Sequence, residues 1–343
     1  MGTVTTFNKD LEPLEAIEPK EILEEVDKLG CIFAKICKSV GEHIYGQDST
    51  IQETLIALLS GGHVLLVGVP GLGKTRLVEI VGFVFGLDTR RVQFTPDLMP
   101  ADIIGSEVLE QLETGHRKFR FIKGPVFSQL LMADEINRAS PRTQSALLQA
   151  MQESRVSVAG VYHDLPSPFH VLATQNPLEQ EGTFPLPEAQ LDRFFMQVDI
   201  DYPDIDAERE IIINTTGADL AKPQQLMRPD ELISAQNLVR RIPIGKSVTE
   251  AIINLIRSGR PEISNLESVR NNVSWGPGPR AGQALMLGVR ARAVMQGRLA
   301  PSVDDVIALA HPVLRHRMSL TFAARAEGIN LFTIIDDICE RIG

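Results

Sequence analysis

The sequence predicts an α/β protein: a three-layer core on a parallel sheet, followed by an all-helical segment. The apolar run Val64-Leu65-Leu66-Val67 passes through Gly68-Val69-Pro70-Gly71-Leu72-Gly73-Lys74-Thr75 into Leu77-Val78-Glu79-Ile80-Val81, giving a strand, a glycine loop and a helix start in order. A second mostly apolar run, from Ser128 to Ala133, ends in the adjacent acids Asp134 and Glu135, as a buried parallel strand does when it delivers carboxylates to a ligand-binding edge. From Asp201-Tyr202-Pro203-Asp204 onward, strand and helix no longer alternate and helical periodicity takes over.

The composition is that of a soluble globular chain able to bury a real core: 343 residues, 43% hydrophobic and 23% charged. A net charge of −10 gives no electrostatic footprint for non-specific binding to duplex nucleic acid. Cys31, Cys37 and Cys339 lack the paired spacing of a zinc site, and an odd count argues against a disulfide framework. No basic segment followed by an apolar core opens the chain and no stretch approaches 18 uninterrupted apolar residues, so a cytoplasmic protein without a membrane span is expected.

Residues 1–19 are polar and proline-punctuated and read as a loose tail. In the helix expected from 20 to 40, Ile22, Val26, Leu29, Phe33, Ile36 and Val40 recur every three or four residues and form one apolar face. A second helix, 48–59, is expected to start on Asp48 as N-cap and to stop at Gly61-Gly62. Beyond the loop helix, Arg91 to Phe94 reads as a short strand closed by Pro96 and Pro100. Residues 106–124 interrupt the core; the alternation in Lys118-Phe119-Arg120-Phe121-Ile122-Lys123 predicts a hairpin arm whose basic and aromatic residues could also hold nucleic acid. A helix over 141–152, a second hairpin within 154–165 around Ala159-Gly160, a buried strand over 169–174 and a last strand over 196–200 complete the α/β part, residues 20–203. In the helical part, residues 204–343, helices are expected at 206–214, 230–241, 246–258, 279–296, 303–314 and 331–341, with Pro279 in the first turn of its helix after Gly276-Pro277-Gly278. His163, His311 and His316 share no metal-ligand spacing with acids or cysteines and read as structural.

The glycine loop has the composition that phosphate binding requires. Glycines let backbone N–H groups turn inward, the helix start is electropositive, and Lys74 adds a point charge. Thr75 offers a hydroxyl to Mg²⁺. Asp134, sixty residues after Lys74, is suited to hold the magnesium hydration shell and Glu135 to polarise a water. Asn176 at a strand tip can bond both a phosphate and an attacking water. Arg193 at a helix end can serve as a finger or as an ordinary surface arginine, and Arg280 at a helix N-terminus is open to the same two readings.

The order of these motifs resembles the AAA+ ATPases, specifically the MoxR family, from Gly46-Gln47 to the last helix. The resemblance rests on Leu131 to Ala139, Gln144 to Met151, Ala173-Thr174-Gln175-Asn176-Pro177, and Gly182 to Phe194. It implies a P-loop NTPase core with an all-α lid, ATP and Mg²⁺ as cofactors, and hydrolysis of ATP. In such proteins Gly68, Val69, Pro70, Gly71, Leu72, Gly73, Lys74, Thr75 and Arg76 form the nucleotide-binding segment, and Gln47 lies in the stretch lining the adenine pocket. Thr75 and Asp134 match the metal-holding pair and Glu135 the water-activating acid. Asn176 matches sensor 1, Arg193 the finger reaching a neighbour's ATP, and Arg280 sensor 2. The two hairpins resemble the helix-2 insert and pre-sensor-1 hairpin shared with magnesium-chelatase motor subunits. The family implies a hexameric ring that remodels a protein client, often one bearing a von Willebrand factor A domain. The chain departs from the family at Gly278, where a serine more often precedes the proline, so whether Arg280 touches its own or a neighbour's ATP stays open. Two other readings remain: a nucleic-acid or transcription-regulating motor using the basic hairpin, and an ATP-gated scaffold with little turnover.

Overall fold

The computed structural model describes residues 19–111, 117–178, 182–215 and 223–342. The expected tail, residues 1–19, lies outside them but for its last residue, and so does the tip of the first hairpin, residues 112–116. In chain order the elements are α1 (Pro19–Gly41), α2 (Asp48–Leu59), β1 (Val64–Gly68), α3 (Lys74–Val84), β2 (Thr89–Gln93), α4 (Pro100–Ile104), β3 (Gly105–Gln111), β4 (Arg117–Lys123) and β5 (Leu130–Asp134). After a 3₁₀ turn at Ile136–Arg138 come α5 (Pro141–Glu153), β6 (Arg155–Val158), β7 (Val161–Asp164), β8 (His170–Gln175), α6 (Glu188–Leu191) and β9 (Met196–Ile200). The rest is α7 (Ile205–Thr215), α8 (Pro229–Arg241), α9 (Lys246–Ser258), α10 (Glu267–Asn272), β10 (Val273–Trp275), α11 (Pro279–Met295), α12 (Val303–Leu314), β11 (Ser319–Leu320), α13 (Phe322–Ala326) and α14 (Leu331–Cys339).

The central sheet has the order β2-β5-β8-β1-β9, and all its pairings are parallel. Alternate residues feed two separate cores, as a period of two requires when both faces are covered. Val64, Leu66, Leu130, Met132 and Leu172 join α1, α2, α3 and the C-terminal helices in one core. Leu65, Leu131, Ala133, Val171 and Ala173 face Ile103 of α4 and Leu147, Leu148 and Met151 of α5 in the other. The apolar stripe of α1 is packing surface: Val26, Phe33, Ile36 and Val40 are fully buried, and the Phe33 ring meets Phe85 at 6.2 Å.

Both hairpins stand outside the sheet. Strands β3 and β4 pair from Gly105↔Lys123 to Gln111↔Arg117. Strands β6 and β7 are joined by Ala159-Gly160, both at positive φ (49° and 82°), as a tight primed turn demands. The basic arm is less available than its sequence implies. Phe121 stacks on His163 of the other hairpin at 4.1 Å and leaves only Phe119 exposed of the two phenylalanines, while Arg120 pairs with Glu110 at 3.3 Å.

Three features differ from the sequence expectation. Asp48 is the first residue of α2 and not its cap: Gln47 takes the cap position and sends its side chain away to the glycine loop. The edge strand β2 starts at Thr89, two residues early, because its polar outer face hides the apolar period. Helices α4, α10 and α13 and the pair β10–β11 are too short to carry a period of their own.

Three histidines are held neutral by the fold. Burial pushes His63 down to about 3, with His170 adding to the effect, and pushes His170 down to about 4. His316 is driven well below its ordinary value by burial and then by the neighbouring Arg317. Unfolding restores their ordinary value near 6.5, so stability from these groups is complete above that pH and is lost as pH falls toward 4. Glu53 opposes them, since burial raises its carboxyl to about 7 and the folded state therefore holds its proton at pH values where the unfolded chain does not. Three protons taken up on unfolding against one released predict a fall in unfolding free energy of about 2 kcal/mol per pH unit between pH 6 and 5. Denaturant melts at pH 5, 6 and 7 check the slope, and a flat profile contradicts it.

Candidate functional site

The site assembles at the C-terminal edge of the sheet. Strand β1 ends at Gly68, where any Cβ would lie 2.6 Å from the Ile200 carbonyl oxygen, so packing against β9 requires glycine there. Gly71 and Gly73 are glycine for a different reason. Their φ values of +87° and +76° are the left-handed backbone that turns the loop, and a Cβ on either would meet nothing within 4 Å. The hollow of the loop is therefore open, and Gly73 caps the N-terminus of α3 without side-chain help. The first-turn N–H groups of Lys74, Thr75 and Arg76 are left for a ligand. Lys74 Nζ donates to the carbonyls of Gly68 (2.6 Å) and Val69 (2.7 Å), folding its ammonium back over the loop. Burial lowers its affinity for the proton, and Asp134 and Glu135 oppose that shift.

Beside the loop lies a cavity lined by His43, Tyr45, Gln47, Arg76, Tyr202 and Ile212, among others. Gln47 is 8% exposed; its Nε2 donates to the Leu72 carbonyl at 3.0 Å and its buried Oε1 has no partner. A cavity with an apolar wall and one unpaired acceptor suits a flat heterocycle carrying an N–H donor, while the loop takes its phosphates. The residues present therefore fit a nucleotide.

Strands β5 and β8 deliver the acids. Asp134 closes β5 at 8% exposure; its Oδ1 accepts from Thr174 Oγ1 (2.6 Å) and its Oδ2 accepts from the Arg91 guanidinium (2.5 and 3.2 Å). The Thr174 hydroxyl in turn accepts from the Glu135 N–H at 2.8 Å, so one side chain on β8 holds both acids. Glu135 sits in the left-handed region (φ 54°, ψ 51°), a strained setting for a non-glycine residue. Its Oε2 accepts from Gln93 Nε2 (2.7 Å) and Arg138 (3.0 Å). Asn176, 4% exposed, follows β8 and accepts from the Leu178 N–H at 3.1 Å. Asp134 Oδ1 keeps a second lone pair, and Thr75, in the first turn of α3, is half-buried. Among the described residues no cluster of three or more His, Cys, Asp or Glu could hold a metal unaided. That donor set fits Mg²⁺ bound through waters and substrate phosphates, and not an all-protein cage.

Thr174, Arg91 and Gln93 were not singled out from the sequence as site residues. The signal available was the register: Gln93 pairs with Asp134 across β2 and β5, which puts polar residues of an edge strand beside the acids.

Arg193 and Arg280 stand elsewhere. Arg193 precedes β9, and the Phe195 N–H donates to the His63 carbonyl just before β1 begins, which sets Arg193 at the N-terminal edge of the sheet. Gly68 is at the other end of β1, five residues beyond His63, about 16 Å along the strand. Arg280, at the start of α11, pairs with Asp192 at 3.7 Å, and both arginines line one cavity with Gly61, Gly62 and His63. The sequence-designated residues thus form two groups, one at each edge.

Comparison with known proteins gives a consistent picture. The profile of the ATPase family associated with various cellular activities (AAA) matches residues 63–196, and that of the AAA lid domain matches residues 267–338. The chaperone MoxR1 of Mycobacterium tuberculosis is 40% identical over 300 residues, 87% of this chain and 78% of that one. The uncharacterised protein YeaC of Bacillus subtilis is 36% identical over 91% of this chain and 94% of its own length. A crystal structure described as that of a candidate ATPase from Cytophaga hutchinsonii superposes with a TM-score of 0.87 at 36% identity, covering 94% of this chain and 98% of that one.

Thr174→Val keeps the side-chain shape and removes both hydrogen bonds, leaving the Glu135 N–H and Asp134 Oδ1 without their partner. A loss of about 2 kcal/mol in unfolding free energy is expected from denaturant melts; an unchanged midpoint contradicts the arrangement.

Proposed function

The chain belongs to the MoxR family of AAA+ ATPases, and on that premise we propose that it is a Mg²⁺-dependent ATP-hydrolysing ring motor that remodels or activates a partner protein. The observation that carries this reading is the division of the site between the two edges of a parallel sheet. The loop Gly68–Arg76, Asp134, Glu135 and Asn176 form one half at the C-terminal edge, and Arg193 with Arg280 forms the other at the N-terminal edge. About a strand's length separates them, so the arginines of one subunit serve the nucleotide of the next. This also favours a neighbour's ATP as the one Arg280 touches. A closed ring, six subunits in the family, satisfies every half-site.

In this reading the loop N–H groups and Lys74 bind the phosphates, and Gln47 faces the base. Thr75 and Asp134 hold Mg²⁺, which when bound neutralises charge on the transferred phosphoryl group. Glu135 accepts a proton from the attacking water, once its carboxylate is released from Gln93 and Arg138. Asn176 orients that water. The helical part from residue 204 acts as the lid. A protein client finds a surface at the hairpins, where Leu109, Phe119, Ile122, Val161 and Tyr162 are exposed. A von Willebrand factor A domain protein is the partner to test first.

Glu135→Gln is expected to bind ATP with near-native affinity and to lose at least about 100-fold in turnover; phosphate release equal to the parent protein refutes the assignment. Arg193→Ala is expected to lose a factor of about 10³ in steady-state hydrolysis with nucleotide binding to the separated subunit unchanged. Activity per subunit of the unmutated protein should rise with concentration as rings form, and a flat dependence refutes the shared site.

A further inference from the structure

The side chain of Arg193 has no hydrogen-bond or ion-pair partner among the described residues, yet the turn that carries it is tied down on both sides. The ties come from one side chain in the helical part. Arg317 is 2% exposed and lies in the connection between α12 and β11. Its Nε donates to Asp192 Oδ1 (2.7 Å). One terminal nitrogen donates to the carbonyls of Phe195 (3.1 Å) and Val313 (2.8 Å), the other to those of Phe194 (2.5 Å) and Asp192 (3.3 Å). All five guanidinium donors are thereby used, four of them on the residues flanking position 193.

Two neighbours reinforce the contact. His316 Nε2 lies 3.2 Å from the Phe194 carbonyl, and Ser319 Oγ donates to Glu188 Oε1 at 2.5 Å. Asp192 is shared, since its other oxygen pairs with Arg280. The turn's own backbone donates locally, Arg193 N–H to Gln190 and Phe194 N–H to Leu191, and beyond it only Phe195 N–H reaches out, to the His63 carbonyl. Without Arg317 the carbonyls of Asp192 and Phe195 would lose this donor and that of Phe194 would keep only His316.

We propose that Arg317 is a positioning residue for ATP hydrolysis, acting on the neighbouring subunit's site by fixing the turn that presents Arg193. A displacement of the helical part, which carries Arg317, moves that turn with it. The nucleotide state of one subunit's lid is thereby passed to the arginine it offers next door. This inference rests on the reading that Arg193 works across the subunit boundary, and the test separates the two.

The full-length chain is assembled with ATP and Mg²⁺, and phosphate release is measured for Arg317→Lys, Asp192→Asn and Arg193→Ala, each alone and mixed with an excess of Glu135→Gln. Lysine keeps the charge and loses the fork that spans four carbonyls. Arg317→Lys alone is expected to lose about 10-fold or more in kcat with KM for ATP within twofold. Asp192→Asn, which leaves the backbone acceptors in place, should lose about threefold and covers the case in which the lysine variant melts early. In the mixture the Glu135→Gln subunits contribute intact turns to the defective neighbours, so kcat per competent site should recover severalfold for all three variants.

Full activity in both Arg317→Lys and Asp192→Asn overturns the proposal. Recovery for Arg193→Ala without recovery for the other two also overturns it, because the defect would then lie within the variant's own subunit. No recovery for Arg193→Ala removes the shared-site reading, and this inference falls with it.

Discussion

Every strand of the central sheet points the same way, and the rest of the molecule follows from that constraint. Parallel strands collect their C-terminal ends along one edge, so Gly68, Asp134 and Asn176, far apart in sequence, meet there. The same direction puts the residues that lead into β9 at the opposite edge. A single subunit therefore exposes a receptor at one side and a donor at the other, and no rearrangement of side chains can bring them together. In the proposed function, sharing between copies follows from strand direction before it is a matter of catalysis.

Within the receptor half, charge is balanced among neighbours and not left to solvent. Asp134 is held by a neutral hydroxyl and a guanidinium, and Glu135 by an amide and a second guanidinium. Hydrogen bonds to ionised oxygens are stronger than neutral ones, and they hold two adjacent carboxylates in place at the end of a buried strand. The backbone strain at Glu135 fits this setting, because the left-handed turn aims its N–H at Thr174 and its carboxylate toward Gln93.

Much of this was legible in the sequence. The glycine loop, the buried strand ending in Asp134 and Glu135, and the helices α9 and α12 follow from short-range rules of period and turn chemistry, and the structure has them at the expected positions. The contributions of Thr174, Arg91 and Gln93 were not legible, because each depends on which strands become neighbours, and that is fixed by packing over forty residues or more. Asp48 was misread for a related reason: a cap rule sees only the next three residues, whereas Gln47 was claimed by a carbonyl 25 residues away. Arg317 had no sequence signal either. It reads as one more basic residue at a helix end until the fold encloses it.

The ring stack between the two hairpins joins parts of the chain that have no covalent reason to move together. Phe121 of β4 lies flat on His163 of β7, and Phe127 meets both edge-on. The second hairpin follows α5 after a single residue, and Gln144 of α5 donates to the carbonyls of Ile136 and Ala139 in the turn just past Glu135. Rotation of either hairpin alone would unstack the rings, so the pair behaves as one rigid tooth on a lever whose fulcrum lies at the acids. If the chain remodels a client as proposed, a client touching the exposed Phe119 and Tyr162 would feel one composite stroke instead of two independent ones.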